Sequence, residues 1–169
     1  TQLFFLFWLF LSRVDAEVVL EDVQQLFLSG EYETCLTQIQ KARGDGGTGV
    51  EWDLIKGHSQ LALGQYKPAL EEMGTGLRRH SFSLRSIWLT HEIYIHNGDV
   101  EQARAQLDRI YRLGGNFHIN FWNPPDLVIL GRTLLKLGAE PRMVLENFYD
   151  EAIKSDPNCI DAYIASGEL

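Results

Sequence analysis

The sequence predicts an all-α fold made of consecutive antiparallel helix-turn-helix units. Three observations lead to this prediction. Similar residues recur every 34 positions, a glycine stands at the same place in each period, and the apolar residues between glycines are three or four apart. That spacing puts apolar side chains on one face of a helix. With 169 residues, 45% of them apolar, the chain is long enough to bury a core.

The glycines define the register of the repeat. Gly30, Gly64 and Gly98 are each 34 residues apart. Glycine is favoured just after a helix because it adopts the left-handed conformation without a clash, so each of them predicts a hairpin turn. Four other columns keep the same register: Val23, Gly57 and His91; Cys35, Ala69 and Ala103; Ile39, Met73 and Leu107; Ala42, Gly76 and Ile110.

Four hairpins and the start of a fifth unit follow from this register. The units cover about 16–49, 50–83, 84–117 and 124–159, and a truncated fifth unit begins at 160. The predicted helices are Glu17–Leu28/Glu31–Ala42, Trp52–Leu63/Tyr66–Arg79, Leu84–His96/Asp99–Arg112 and Asp126–Leu137/Arg142–Lys154. From Ile110 to Ala152 the distance is 42 residues, eight more than one period. We place six of the eight between the third and fourth hairpins and two in the turn after Gly138.

The pattern resembles the tetratricopeptide repeat (TPR) family. The second unit matches best, through Gly57, Gly64, Tyr66, Ala69 and Met73, while the first and third units lack the small residue at the eighth place. The resemblance covers 17–169. It implies a right-handed α-solenoid whose concave inner face is formed by the first helices of the hairpins and binds a protein or peptide.

The resemblance also implies which residues line that inner face. Carried over by repeat position they are Leu20, Gln24, Leu28, Leu54, His58, Trp88, Glu92, His96, Val128, Arg132 and Lys136. As the partner-binding residues we predict His58, Trp88, Glu92, His96 and Arg132. The Lys/Asn/Lys/Arg set with which some family members hold a terminal carboxylate is absent, which disfavours that function. Two interpretations of Trp88 remain: a partly exposed contact residue, or a side chain that fills the space between neighbouring hairpins.

The first residues predict export. Leu3–Leu11 is an apolar run of nine residues, too short to span a membrane and typical of the core of a signal peptide. Val14-Asp15-Ala16 provides short residues at the places that signal peptidase reads, so 1–16 is predicted to be removed after Ala16. We expect a periplasmic or extracellular protein and a chain that is a fragment of a longer product. The alternative is an uncleaved anchor or a buried first helix.

The net charge and the composition limit the classes of partner that the chain is expected to bind. The formal net charge is −8, which argues against nucleic acid because binding to phosphates needs clustered Lys and Arg. No stable membrane span is predicted. Cys35 and Cys159 are far apart and fit no zinc spacing, so we interpret both as buried core residues.

Three segments invite a functional interpretation. His91 and His96 resemble a zinc-peptidase helix, but they are five residues apart where ligands one turn apart need four. The glycine-rich 43–49 lacks the lysine of a phosphate-binding loop and is interpreted as a link between hairpins. The aromatic-rich 114–125 either caps a core or presents a contact surface. We therefore predict no catalytic residue, metal or cofactor.

Two functions remain open at this stage. The first is a binding scaffold for a protein or peptide within an exported protein. The alternative is a non-catalytic repeat region at the front of a larger exported hydrolase, such as a metallopeptidase, and it rests on analogy with the family.

Overall fold

The computed structural model describes residues 20–44, 46–115 and 123–169. Within these ranges the regular structure is helical and no strand occurs. The predicted signal peptide lies outside the described residues, as does most of the aromatic-rich loop. Of that loop, 114–115 and 123–125 are described. The Asn123 side chain accepts a hydrogen bond from the Asp126 amide at 3.0 Å and caps the start of a helix. The helices are α1 (20–28), α2 (Tyr32–Gly44), α3 (Val50–Ala62), α4 (Tyr66–Arg79), α5 (Leu84–His96), α6 (Val100–Gly115), α7 (Pro124–Lys136), α8 (Pro141–Val144), α9 (Asp150–Ser155) and α10 (Ile160–Gly167).

The hairpin turns are closed in one repeated way. In the second hairpin the Gly64 amide donates to the Leu61 carbonyl at 3.0 Å and the Gln65 amide donates to the Gln60 carbonyl at 2.8 Å. This pair of bonds satisfies the last carbonyls of the helix and needs a left-handed residue at the glycine, where φ is 69°. The same pair of bonds recurs at Gly30, Gly98 and Gly138.

The helix bounds agree with the sequence prediction. From α2 onward, the predicted starts and ends of the helices differ from the observed ones by no more than three residues. Ala69, the small residue of its repeat column, is 0% exposed.

The chain divides into two compact units, Thr1–Gly76 and Leu77–Leu169. The core of the first unit contains Cys35, Ile39 and Trp52, and partly buried Phe27 packs against it. The second unit holds two clusters, one around Leu84 and Ile87 and one around Val144, Tyr149 and Cys159. Both cysteines are buried and free, as predicted.

The fourth hairpin corrects one prediction. Its second helix is interrupted by a π-helical turn at Leu145–Tyr149, where the Asp150 amide donates to the Leu145 carbonyl, five residues back. Val144 and Tyr149 are fully buried and five residues apart, whereas Ala69 and Met73 are four apart. The two extra residues therefore do not both lengthen the turn. One lies before Val144 and the other is absorbed by the π turn.

Among the described residues, no helix is both long and apolar enough to cross a membrane.

Candidate functional site

Four of the five predicted binding residues lie around one cavity in the unit Leu77–Leu169. Its volume is about 470 Å³. Helix α5 provides Trp88, Glu92 and His96, which are four apart and so face one side of the helix. Helix α7 provides Arg132, also as predicted. The complete lining is Trp88, His91, Glu92, Ile95, His96, Arg132, Leu135, Lys136, Tyr149, Ala165, Glu168 and Leu169. We call this cavity the groove.

His58 is the fifth predicted residue and belongs to the other compact unit. It lies half-buried on α3. Its imidazole contacts the Phe27 ring, with centroids 6.0 Å apart and planes tilted by 51°. His58 therefore contacts a residue of the first hairpin and is not among the residues that line the groove.

Trp88 both packs in the core and lines the groove. It is 8% exposed and belongs to the core cluster of Leu84 and Ile87, so of the two interpretations the space-filling one fits and the partly exposed one does not. Its ring also lines the groove, where the ammonium of Lys136 lies 5.9 Å from the ring centroid, a distance at which the ring attracts a cation. Trp88 is therefore an apolar wall of the groove.

The carboxyl group of Glu92 lines the groove next to the Trp88 side chain. Burial raises the pKa of Glu92, and the hydrogen bond from the Trp88 indole, together with the charges of Arg132, His96 and Lys136, only partly offsets this. These groups surround the carboxylate with donors and positive charge. Glu92 is thus held by the groove itself.

Arg132 and Tyr149 bring two unsatisfied donors to the groove. The Nε of Arg132 and the Oη of Tyr149 are buried, and among the described residues neither has a hydrogen-bond partner. The Tyr149 side chain is 0% exposed, and burial raises the pKa of its phenol to about 12, against a smaller lowering by the Arg132 charge. The Nη2 of Arg132 lies 3.5 Å from a carboxylate oxygen of Glu168, which is 61% exposed. That distance is long for a hydrogen bond between ionised groups.

His91 has a structural role. Its Nδ1 lies 2.9 Å from the Ala103 carbonyl and joins α5 to α6, and burial lowers the pKa of the imidazole. His96, in contrast, is exposed. In the part of the chain that the structure describes, no group of three or more His, Cys, Asp or Glu side chains is arranged to hold a metal ion.

Tyr149 and Glu168 were not predicted as groove residues. Repeat position assigned the groove to first helices, and Tyr149 comes from a second helix. The available signal was the excess of residues between Ile110 and Ala152, but a residue count does not show where an insertion is absorbed.

A polar cluster in the unit Thr1–Gly76 was also missed. Arg43 Nη2 lies 2.6 Å from Asp53 Oδ1 and 2.7 Å from Glu72 Oε1, and Lys56 Nζ lies 2.6 Å from Glu72 Oε2. Both carboxylates are buried. The cluster connects α2, α3 and α4 through ion pairs with two buried carboxylates, which indicates a structural role.

Comparisons with known proteins define the fold. No protein-family model and no curated protein matches this chain. Three solved structures are similar to it. PcrH in complex with the chaperone-binding region of PopB has a TM-score of 0.61 at 16% identity, covering 70% of this chain and 91% of PcrH. The thermophilic TPR protein TTC0263 of Thermus thermophilus has a TM-score of 0.53 at 19% identity, covering 90% of this chain and 97% of TTC0263.

The third is the type III secretion translocator chaperone SycD of Yersinia enterocolitica, with a TM-score of 0.56 at 19% identity, covering 73% of this chain and 95% of SycD. Identities this low establish the fold alone. The all-α class of TPR-like helical repeats, predicted from the 34-residue register, is confirmed.

Proposed function

We propose that the chain is a binding module that holds a peptide segment of a protein partner in the groove, without catalytic chemistry of its own. The observation that carries this proposal is the cavity of about 470 Å³, which combines an aromatic wall with hydrogen-bonding and charged groups. Binding sites typically pair a mostly apolar lining with a few placed polar groups. PcrH, which shares the fold, was solved with a region of PopB bound, and this supports the proposal by analogy.

The lining suits a peptide. Trp88 and Leu135 offer apolar contact, Arg132 and Lys136 offer donors, and Glu92 offers an acceptor. A peptide carries apolar, donor and acceptor groups in close succession. The net charge of −8 disfavours a nucleic acid in the same place.

A peptide-display experiment tests the proposal. A library of random peptides is selected on the purified chain, and the dissociation constants of enriched peptides are measured by fluorescence anisotropy. The test variant is Ile95→Arg, because Ile95 lines the groove and is 46% exposed, so a longer charged side chain blocks the groove without filling the core. The matched control is Ile160→Arg on α10, because Ile160 is 71% exposed and does not line the groove.

We expect Ile95→Arg to weaken binding at least tenfold and Ile160→Arg to leave it unchanged. Thermal melts of both variants must match the wild type. Enriched peptides that bind Ile95→Arg as tightly as the wild type would contradict the proposal.

We further propose that the protein is exported. The support is the apolar run Leu3–Leu11 followed by Val14-Asp15-Ala16. Mass spectrometry of the protein from its native cells is expected to give a mature N-terminus at Glu17. A mature protein that keeps Leu3–Leu11 would favour a membrane anchor. Whether the module precedes a hydrolase domain stays a prediction that the full-length reading frame decides.

A further inference from the structure

The π turn of the fourth hairpin determines which side chain reaches the groove. In the first three second helices the buried residue four places after the small one is aliphatic: Ile39, Met73 or Leu107. In the fourth the corresponding residue is Tyr149, which the π turn places five residues after Val144. It is a residue of a second helix that lines the groove.

Gly131 makes the space for this ring. A Cβ added at Gly131 would lie 2.4 Å from Tyr149 Cε1 and 3.0 Å from Val144 Cγ1. A side chain at position 131 would therefore displace the tyrosine, since a ring wedged between two helices has little freedom to move. The absence of that side chain and the presence of the π turn are two features that together bring the phenol beside the groove.

The phenol carries a donor that no described residue satisfies. Within the ranges that the structure describes, Tyr149 Oη is fully buried without a hydrogen-bond partner, and so is Arg132 Nε. A buried unsatisfied donor destabilises the folded state. Two of them on residues lining one groove indicate that an oxygen atom from outside the described residues completes their hydrogen bonds.

The arginine favours a carboxylate as the source of that oxygen. The Nε–H and Nη2–H groups form one edge of the guanidinium, and a carboxylate binds such an edge with both of its oxygens. Glu168 approaches Nη2 at 3.5 Å, and Nε has no partner in the part of the chain that the structure describes. Since Glu168 is exposed and held by this one long contact, an incoming carboxylate can take its place.

We propose that Tyr149 and Arg132 form a subsite for an acidic side chain, Asp or Glu, of the bound peptide. The Tyr149 O–H donates to one carboxylate oxygen, and the Nε–Nη2 edge of Arg132 holds the carboxylate after Glu168 has left. Glu92 does not fill this role, because Arg132 Nε and Tyr149 Oη have no partner among the described residues, Glu92 included. The inference rests on the proposed function and adds the chemistry of the ligand.

The experiment uses an array of nine-residue peptides with randomised flanks and a fixed central residue: Asp, Glu, Asn, Gln or Leu. The arrays are probed with the full chain, and the best peptides are remade with Glu and with Gln at the centre. Dissociation constants are measured for the wild type, Tyr149→Phe and Arg132→Lys. Tyr111→Phe is the matched control, because Tyr111 lies exposed on α6, which contributes nothing to the groove lining.

We expect the Glu peptides to bind at least tenfold more tightly than the Gln peptides, because hydrogen bonds to charged groups exceed neutral ones. Tyr149→Phe and Arg132→Lys should each remove most of that preference, and Tyr111→Phe should retain it. Because Tyr149→Phe deletes an unsatisfied donor, its melting temperature should equal or exceed that of the wild type. A structural role alone predicts a lower melting temperature and an unchanged Glu-to-Gln ratio.

The outcomes separate the two proposals. If Ile95→Arg abolishes binding but the Glu and Gln peptides bind equally, or Tyr149→Phe keeps the preference, the acidic subsite is refuted and the peptide-binding function stands. If no peptide binds, or binding survives Ile95→Arg, both proposals are overturned.

Discussion

Gly76 in the second hairpin and Gly131 in the fourth each leave space for a polar side chain of a facing helix. The two side chains differ in whether a described residue pairs with them. In the second hairpin a Cβ at Gly76 would lie 2.7 Å from Asp53 Oδ2, and in the fourth a Cβ at Gly131 would lie 2.4 Å from the Tyr149 ring. The carboxylate of Asp53 meets the guanidinium of Arg43 at 2.6 Å. The phenol O–H of Tyr149 has no partner within the described residues.

Glycine has the same local role at positions 76 and 131, with different consequences. A glycine at a helix contact lets a larger polar residue enter from the facing helix. Where the chain itself provides the partner charge, the buried group stabilises the unit, and where it does not, the group remains available to a ligand. The first site is therefore expected to respond to mutation in stability and the second in binding.

Removal of Arg43 is expected to have the largest effect on stability. Arg43→Met leaves the Asp53 and Glu72 carboxylates buried without their shared cation, and breaking a buried pair in this way costs about 3 kcal/mol. The value is at the low end for buried pairs because the Arg43 side chain is 25% exposed. Urea unfolding measures the change, with Arg104→Met on the exposed surface of α6 as the control. A loss below about 1 kcal/mol would mean that the cluster is solvated.

Filling the space at Gly131 should have a smaller effect. Gly131→Ala forces the Tyr149 ring or the Val144 side chain to move, at a cost of about 2 kcal/mol from overpacking. The control is Gly167→Ala in α10, where an added Cβ meets nothing within 4 Å, so that stability should be unchanged or rise by about 0.5–1 kcal/mol. Equal melting temperatures for Gly131→Ala and the wild type would show that the ring is not confined.

Of the three expected losses of stability, the smallest is the one that acid causes in the polar cluster of Arg43, Asp53, Lys56 and Glu72. Burial raises the pKa of Glu72, but the hydrogen bonds and charges of Arg43 and Lys56 lower it more, so its pKa is below the usual value of 4.5. A carboxyl group whose pKa is lowered on folding stabilises the fold above pH 4.5, and that contribution is lost as the pH falls further. Melting temperatures of the wild type and Glu72→Gln, measured between about pH 7 and pH 3, test this. The wild type should lose more stability below pH 4.5 than the variant, and parallel curves would contradict the assignment.

Most of the hairpin geometry was readable from the sequence because it is local. Four helices end at glycines through hydrogen bonds that involve only the preceding turn: Gly30, Gly64, Gly98 and Gly138. The small side chain of Ala69 indicates a close contact between helices, and Ala69 is fully buried. Four residues of the groove were predicted because the resemblance to the TPR family assigns their repeat positions to the inner face. The sequence left two interpretations of Trp88 open because the depth of a side chain depends on the helices packed around it.

The sequence alone determined the helix order, the turns and which face of α5 and α7 bears the polar residues, since periodicity and glycine chemistry act within a few residues. The tertiary structure decided where the fourth hairpin absorbs its two extra residues. A π turn and a longer loop add the same number of residues to the count, but only the π turn carries Tyr149 into the space left by Gly131. Packing between helices therefore decided which side chain completes the groove.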